Sequence, residues 1–211
     1  MRNSKRFANI AAIAVTLLPI VAGLILWDRL PEQVPLHWGL NGEPDRYGSR
    51  ALLVFGLPLL MLVLHLFSVL YAPKKISSRS PKAEALLFWL APVLSVAISV
   101  LVYFQVLLPD FPAMRLLPLF FGFLFLVIGN LLPKCPYSRV LGIRLPWTLA
   151  SEKNWFATHR FAGRVWMTGG LLLLLCPLLP AAAIPPAALG LLLILLLATV
   201  LYSWLFSHRE K

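Results

Sequence analysis

Residues 35–50, PLHWGLNGEPDRYGSR, hold the side chains best suited to act on another molecule: His37, Glu43 and Asp45. An imidazole beside a carboxylate can pass a proton, and an imidazole with two carboxylates can begin a cation site. One His and two acids at these spacings nevertheless complete no known metal-ligand pattern. Asn41-Gly42 is a strong turn signal, because both residues tolerate positive φ. In a strict two-residue hairpin about that pair, Trp38 faces Asp45 and His37 faces Arg46. His37 and Asp45 then lie on different faces, so a His–Asp pair requires a looser loop. Three readings stay open: a solvated loop pinned by Trp38 at the interface, a recognition surface for an extracellular ligand, and, with least support, a metal or catalytic site.

A second constellation is GIRLPWTLASEKNWFATHRFAGRVW, residues 142–166. Pro146-Trp147-Thr148 breaks the chain, and Ser151 with Glu152 predicts a helix start. That helix places Trp155 and His159 on one face at i,i+4, with Asn154 and Thr158 beside them. Arg160 and Arg164 form another such pair. The segment reads either as a cytoplasmic interfacial helix with its aromatics at head-group depth, or as a polar platform for a protein or lipid head group. His65, in MLVLHLF, is the one ionisable side chain well inside an apolar run, and so a functional candidate. It lies about 10 Å from the inner end of its span. Gln105 sits at another depth and Asn130 ends the fourth span. Without a mid-span acid, Lys or Arg, a proton- or ion-coupled transporter loses weight.

These residues need a scaffold, and composition says which. The 211 residues are 60% hydrophobic and 13% charged, with a mean hydropathy of +0.83. A soluble domain carries about a quarter charged residues, so this is an integral membrane protein. Apolar runs near 8–27, 50–72, 85–108, 113–132, 161–180 and 184–206 are long enough to cross a core of about 30 Å. The expected fold is an all-α membrane protein with six transmembrane helices, one extracytoplasmic loop and one cytoplasmic interfacial helix. Residues 1–72 form a two-helix unit carrying the outer loop. Residues 73–211 form a four-helix unit with the cytoplasmic loop 133–160, the whole making one compact membrane domain. The first run is too long for a signal-peptide core and reads as a retained helix.

Of the basic residues, all but Arg29, Arg46, Arg50 and Arg115 fall at the two termini, in loop 73–84 or in segment 133–164. Asp28, Glu32, Glu43, Asp45 and Asp110 share the side of those four. The distribution predicts cytoplasmic N- and C-termini and an outward loop at 28–49. Orientation accounts for the net charge of +11, so no nucleic acid is required; membrane lipids are the expected contact. Cys135 and Cys176 fall in different environments, which argues against a disulfide, and neither has a His pair for a metal site. No cofactor or metal is expected.

LPEQVPLHWGLNGEPDRYGSR resembles the signature P-x-H-[WF]-x-x-x-G-x-x-D-x-[WY]. GIRLPWTLASEKNWFATHRFAGR resembles G-x-R-x-P-W-T-L…W…H-R-x-[AG]-G. Both, in this order on a six-span chain, resemble the SdpI family of bacterial membrane immunity proteins. The resemblance implies a multi-pass protein of the bacterial plasma (inner) membrane that protects its producer from a secreted, membrane-active peptide toxin. It also implies that, with toxin bound, the protein holds a cytoplasmic repressor at the membrane, and that it is not an enzyme. It makes Pro35, His37, Trp38, Gly42, Asp45 and Tyr47 the toxin-facing positions. The inner motif positions are Gly142, Arg144, Pro146, Trp147, Thr148, Trp155, His159, Arg160 and Gly163, and all of these except Pro146 and Gly163 form the cytoplasmic platform for the partner. One rival is a carrier for a small amphiphile or lipid, with His65 and the inner Arg cluster on its path. The other is a membrane enzyme using His37/Asp45 or His159, for which no spacing recovers a nucleophile–base or metal triad.

Overall fold

The computed structural model describes residues 2–71, 81–108, 110–138 and 142–209. The boundary expected at 72/73, the basic residues Lys74, Lys75 and Arg79 of loop 73–84, Arg139 and Lys211 lie outside them. Helix α1 is Arg2–Ile25. A hairpin follows, with strands β1, Gln33–Trp38, and β2, Pro44–Ser49. A π-helical turn, Leu52–Gly56, leads into α2, Leu57–Tyr71. Then come α3, Pro81–Leu107, and α4, Ala113–Leu131. The short α5, Pro146–Ala150, precedes α6, Glu152–Leu175, and α7 is Ile184–Arg209.

Among the described residues, six helical segments are long and apolar enough to cross a membrane: Arg6–Ile25, Leu52–Leu70, Ala85–Leu107, Ala113–Lys134, Glu152–Leu178 and Ala181–Arg209. Only a structure that bonds its own backbone groups can span hydrocarbon, which makes these runs helices. The fifth differs from expectation. The polar stretch after Ser151 is not a separate interfacial helix but the opening turns of the spanning α6. Ser151 caps it by accepting from the Asn154 amide at 3.1 Å, and no breaker interrupts the helix before Leu175. Asn154, Trp155, Thr158 and His159 are fully buried at 0% exposure, so they do not lie among head groups.

Cα proximity divides the chain into two units. One contains α1, the hairpin strands, α2 and α3, so the third span groups with the first two. In it, Leu30, Val34, Leu53, Val54 and Tyr103 form a core under the hairpin. Ser95 Oγ donates to the Thr16 carbonyl at 2.7 Å and Tyr103 Oη to the Pro19 carbonyl at 2.9 Å, fastening α3 to α1. Such interhelical bonds are each worth about 0.6–2 kcal/mol in a membrane.

The other unit contains α4 to α7. Trp166 Nε1 donates to Thr199 Oγ1 at 3.0 Å, and the Phe161 and Tyr202 rings stack at 4.1 Å, joining α6 to α7. Helices α4 and α6 meet glycine to glycine, at Gly122 with Gly170 and at Gly129 with Gly163.

Candidate functional site

The hairpin turn decides where the first constellation points. The Gly39 amide donates to the Glu43 carbonyl at 2.8 Å, which leaves Leu40, Asn41 and Gly42 as the loop. Gly42 adopts φ 80°, the left-handed conformation that closes a three-residue connection. The loop is thus one residue longer than the strict turn. The register follows: Gln33↔Ser49, Val34↔Gly48, Pro35↔Tyr47 and Trp38↔Pro44, with irregularities either side of His37↔Arg46. A one-residue slip exchanges the faces of a strand, and here it brings Asp45 to the side of His37. The His37 Nδ1–H donates to Asp45 Oδ1 at 2.6 Å, with the two side chains 52% and 49% exposed. An ionised carboxylate only accepts, so the proton of this bond sits on Nδ1.

Strand alternation sorts the remaining candidates. Pro35 and its cross-strand partner Tyr47 share the face of His37 and Asp45, and Tyr47 is 61% exposed. Val34, Leu36 and Trp38 take the opposite face, where Val34 is buried in the core and Leu36 and Trp38 face a cavity against α2 and α3. Gly42 belongs to the turn. The structure therefore gathers Pro35, His37, Asp45 and Tyr47 and sends Trp38 the other way. Among the described residues, no group of three or more His, Cys, Asp or Glu is placed to hold a metal ion. His37–Asp45 has the geometry of an oriented base, but no nucleophile hydrogen-bonds to His37 among the described residues.

Arg50, counted in the sequence only as a charge, anchors this hairpin. Its Nη1 donates to the Trp27 and Leu30 carbonyls at 3.1 and 3.3 Å, and its guanidinium lies 4.8 Å from the Trp27 ring. Charge-assisted bonds and a cation–π contact together stabilise by about 2 kcal/mol. Arg50→Ala is expected to speed limited proteolysis of the hairpin by more than tenfold, since cleavage follows the open population. Arg50→Lys should recover only part, because an ammonium cannot reproduce the planar fork. Unchanged cleavage in Arg50→Ala would remove this anchor from the account.

The second constellation is a lock built around one imidazole. The Ile143 amide donates to His159 Nε2 at 2.9 Å, and His159 Nδ1 donates to the Trp155 carbonyl at 2.8 Å. Both ring nitrogens are committed, which fixes the tautomer and leaves neither for proton transfer. The ring stacks on Trp155 at 4.1 Å, and Tyr137 meets Trp155 edge-on at 5.5 Å. Trp155 Nε1 donates to the Cys135 carbonyl at 3.4 Å, and Tyr137 Oη donates to the Leu149 carbonyl. Burial pushes the Cys135 thiol pKa up, so it is no ready nucleophile. Gly142 has φ 118°, and a Cβ there would overlap His159 Nε2 and lie 2.6 Å from Trp155 Cζ2.

Thr148 Oγ1 donates to the Ile143 carbonyl at 2.8 Å and accepts from the Leu145 amide at 2.9 Å, winding the loop upon itself. Trp147 Nε1 reaches Ser203 Oγ at 2.8 Å, and Asn154 Nδ2 reaches the Ser203 carbonyl at 3.0 Å. Trp147, Thr148, Trp155 and His159 are thus frame, while Gly142, Arg144 and Arg160 are exposed. Tyr137 and Ser203, which complete the frame, carried no sequence signal.

His65 is 1% exposed, and among the described residues neither ring nitrogen meets a partner with full hydrogen-bond geometry. Its ring meets Phe88 edge-on at 5.1 Å.

Two polar constellations, one on a hairpin between the first spans and one at the start of the fifth, define a polytopic membrane protein with two candidate contact surfaces. Residues 134–205 match the SdpI/YfhL protein family, and residues 14–62 match a domain of unknown function, DUF1648. The C-terminal third of the chain is therefore similar to the SdpI/YfhL family. It is 27% identical over 168 residues to the Immunity protein SdpI of Bacillus subtilis (strain 168), covering 78% of this chain and 79% of that one. A 46-residue stretch is 46% identical to an uncharacterized protein of Archaeoglobus fulgidus, covering 22% of this chain and 25% of that one. No solved structure matches.

Proposed function

We propose that this chain is a non-enzymatic immunity protein of the bacterial plasma membrane, which binds and neutralises a membrane-active peptide toxin. Both termini are cytoplasmic and the hairpin faces outward, as the placement of Lys and Arg favours. The toxin meets the face formed by Pro35, His37, Asp45 and Tyr47. The exposed Arg144 and Arg160 meet a cytoplasmic repressor when toxin is bound. The observation that carries this reading is the His37–Asp45 pair, a charged hydrogen bond of 2.6 Å held half exposed on an ordered hairpin. The similarity to the Immunity protein SdpI supports it. An exposed pair adds under about 1 kcal/mol to stability, so recognition rather than folding accounts for its place.

The test follows membrane potential with a voltage-sensitive dye in a toxin-sensitive bacterium given the peptide toxin against which SdpI-type proteins protect. Wild type, His37→Ala and Asp45→Ala are compared at matched membrane levels. Wild type should hold the potential, and each variant should fail at a toxin dose roughly tenfold lower, the equivalent of one lost charged hydrogen bond. Collapse in wild type as fast as in the empty vector would overturn immunity to that toxin. Full protection by both variants would remove the hairpin face as its receptor.

A further inference from the structure

Beneath the hairpin, Trp38, the π-helical turn and α3 enclose an open apolar cavity of about 440 Å³, within the usual range of ligand sites. No charged side chain lines it. Its one hydroxyl is Ser99, which is 2% exposed and whose Oγ has no hydrogen-bond partner among the described residues. That is unusual in this chain. Thr16, Ser68, Thr199 and Ser203 each donate to a carbonyl one turn back in their own helix, at 2.7–2.8 Å. Ser95, one turn before Ser99, donates to the Thr16 carbonyl. A helical serine in hydrocarbon has that bond at hand, and Ser99 leaves it unmade while lining the cavity.

Three further features restrict the occupant. Leu52 and Leu60, which flank the cavity, are 56% and 53% exposed, so its mouth opens to whatever surrounds the helices. The turn that shapes its wall is π-helical and ends at the side-chain-free Gly56, and such turns recur at functional sites. Ser99 lies two turns from the end of α3 at Leu107, about 12 Å in depth. A charged head group does not reach that level of the hydrocarbon.

We propose that this cavity binds an uncharged, membrane-resident long-chain lipophile, its chain against Trp38, Leu60 and Val102 and its oxygen hydrogen-bonded to Ser99. Entry is lateral, from the bilayer. The occupant is independent of the toxin contact, which uses the other face of the hairpin.

The test reconstitutes the full chain in phosphatidylethanolamine–phosphatidylglycerol vesicles and photolabels it with either of two probes. One is a diazirine-bearing fatty alcohol, the other a diazirine-bearing alkane of equal length. In wild type the alcohol should label α2 and α3 peptides roughly tenfold more than the alkane. Ser99→Ala should abolish that preference and Ser99→Thr retain it, while Leu60→Trp, which fills the cavity, should cut labelling by both probes. Equal labelling by the two probes in wild type, a preference that survives in Ser99→Ala, or labelling undiminished by Leu60→Trp would each overturn the proposal. No toxin enters the measurement, so its failure is distinct from failure of the immunity reading.

Discussion

Gly163→Val should lower the melting temperature of the detergent-solubilised protein by about 10 °C, while Gly190→Val leaves it unchanged. A Cβ on Gly163 would lie 2.5 Å from Pro133 Cγ and 2.9 Å from the Gly129 carbonyl oxygen. One on Gly129 would lie 2.8 Å from the Met167 amide nitrogen. One on Gly170 would lie 2.8 Å from the Gly122 oxygen, and one on Gly122 2.8 Å from the Gly170 oxygen. These neighbours are mostly backbone and cannot turn aside as a flexible side chain would, so α4 and α6 must part. Helices in a membrane associate by close packing rather than by a hydrophobic drive, and small residues are what permit it. Overpacking costs about 1–3 kcal/mol where side chains can yield, and the upper end or more is expected here. At about 2–4 °C per kcal/mol for a chain of this size, 3 kcal/mol gives the stated shift. Gly190 has nothing within 4 Å of a Cβ, which makes it the matched control in a spanning helix. A Gly163→Val protein melting with wild type would show that the helices do not depend on this approach.

Those glycines are legible in the sequence. Gly122 and Gly129 in one span, and Gly163 and Gly170 in another, repeat at the same interval, a pattern for two helices in backbone contact. The spans themselves were legible because hydrocarbon leaves the backbone no alternative. The start of the fifth was not, since Asn154, Trp155 and His159 resemble a head-group face until the partners that bury them are known. Ser203, which accepts from Trp147 and whose carbonyl accepts from Asn154, lies 49 residues beyond Asn154. In the hairpin, Asn41-Gly42 marked the turn but not its length. Val34, Leu36 and Trp38 share one face of β1 at either loop length, so the apolar pattern leaves the register of β2 open. The longer loop moves Asp45 to His37.

His159→Ala should release the loop from Gly142 to Thr148 while the spanning helices remain. The ring fills a buried stack against Trp155 and accepts the Ile143 amide proton. Its removal opens a void, for which aromatic-to-alanine changes cost about 3–5 kcal/mol. It also strands an amide, at roughly 1–3 kcal/mol. Part of this is recovered as the loop opens to water, so the loss is local rather than global. Hydrogen exchange at the Ile143 amide should accelerate by about a hundredfold, the equivalent of some 3 kcal/mol of protection. Gly142→Ala should produce the same acceleration from the opposite side, because its Cβ would occupy the position of His159 Nε2. Arg144→Ala and Arg160→Ala are exposed changes and should leave that amide within about 0.5 kcal/mol of wild type. Wild-type exchange in His159→Ala would mean the loop is held by Thr148 and Tyr137 alone. This separation lets a functional defect be read. A loss of function in Arg160→Ala with Ile143 still protected reports a surface contact, whereas the same loss in His159→Ala reports a loop detached from its frame.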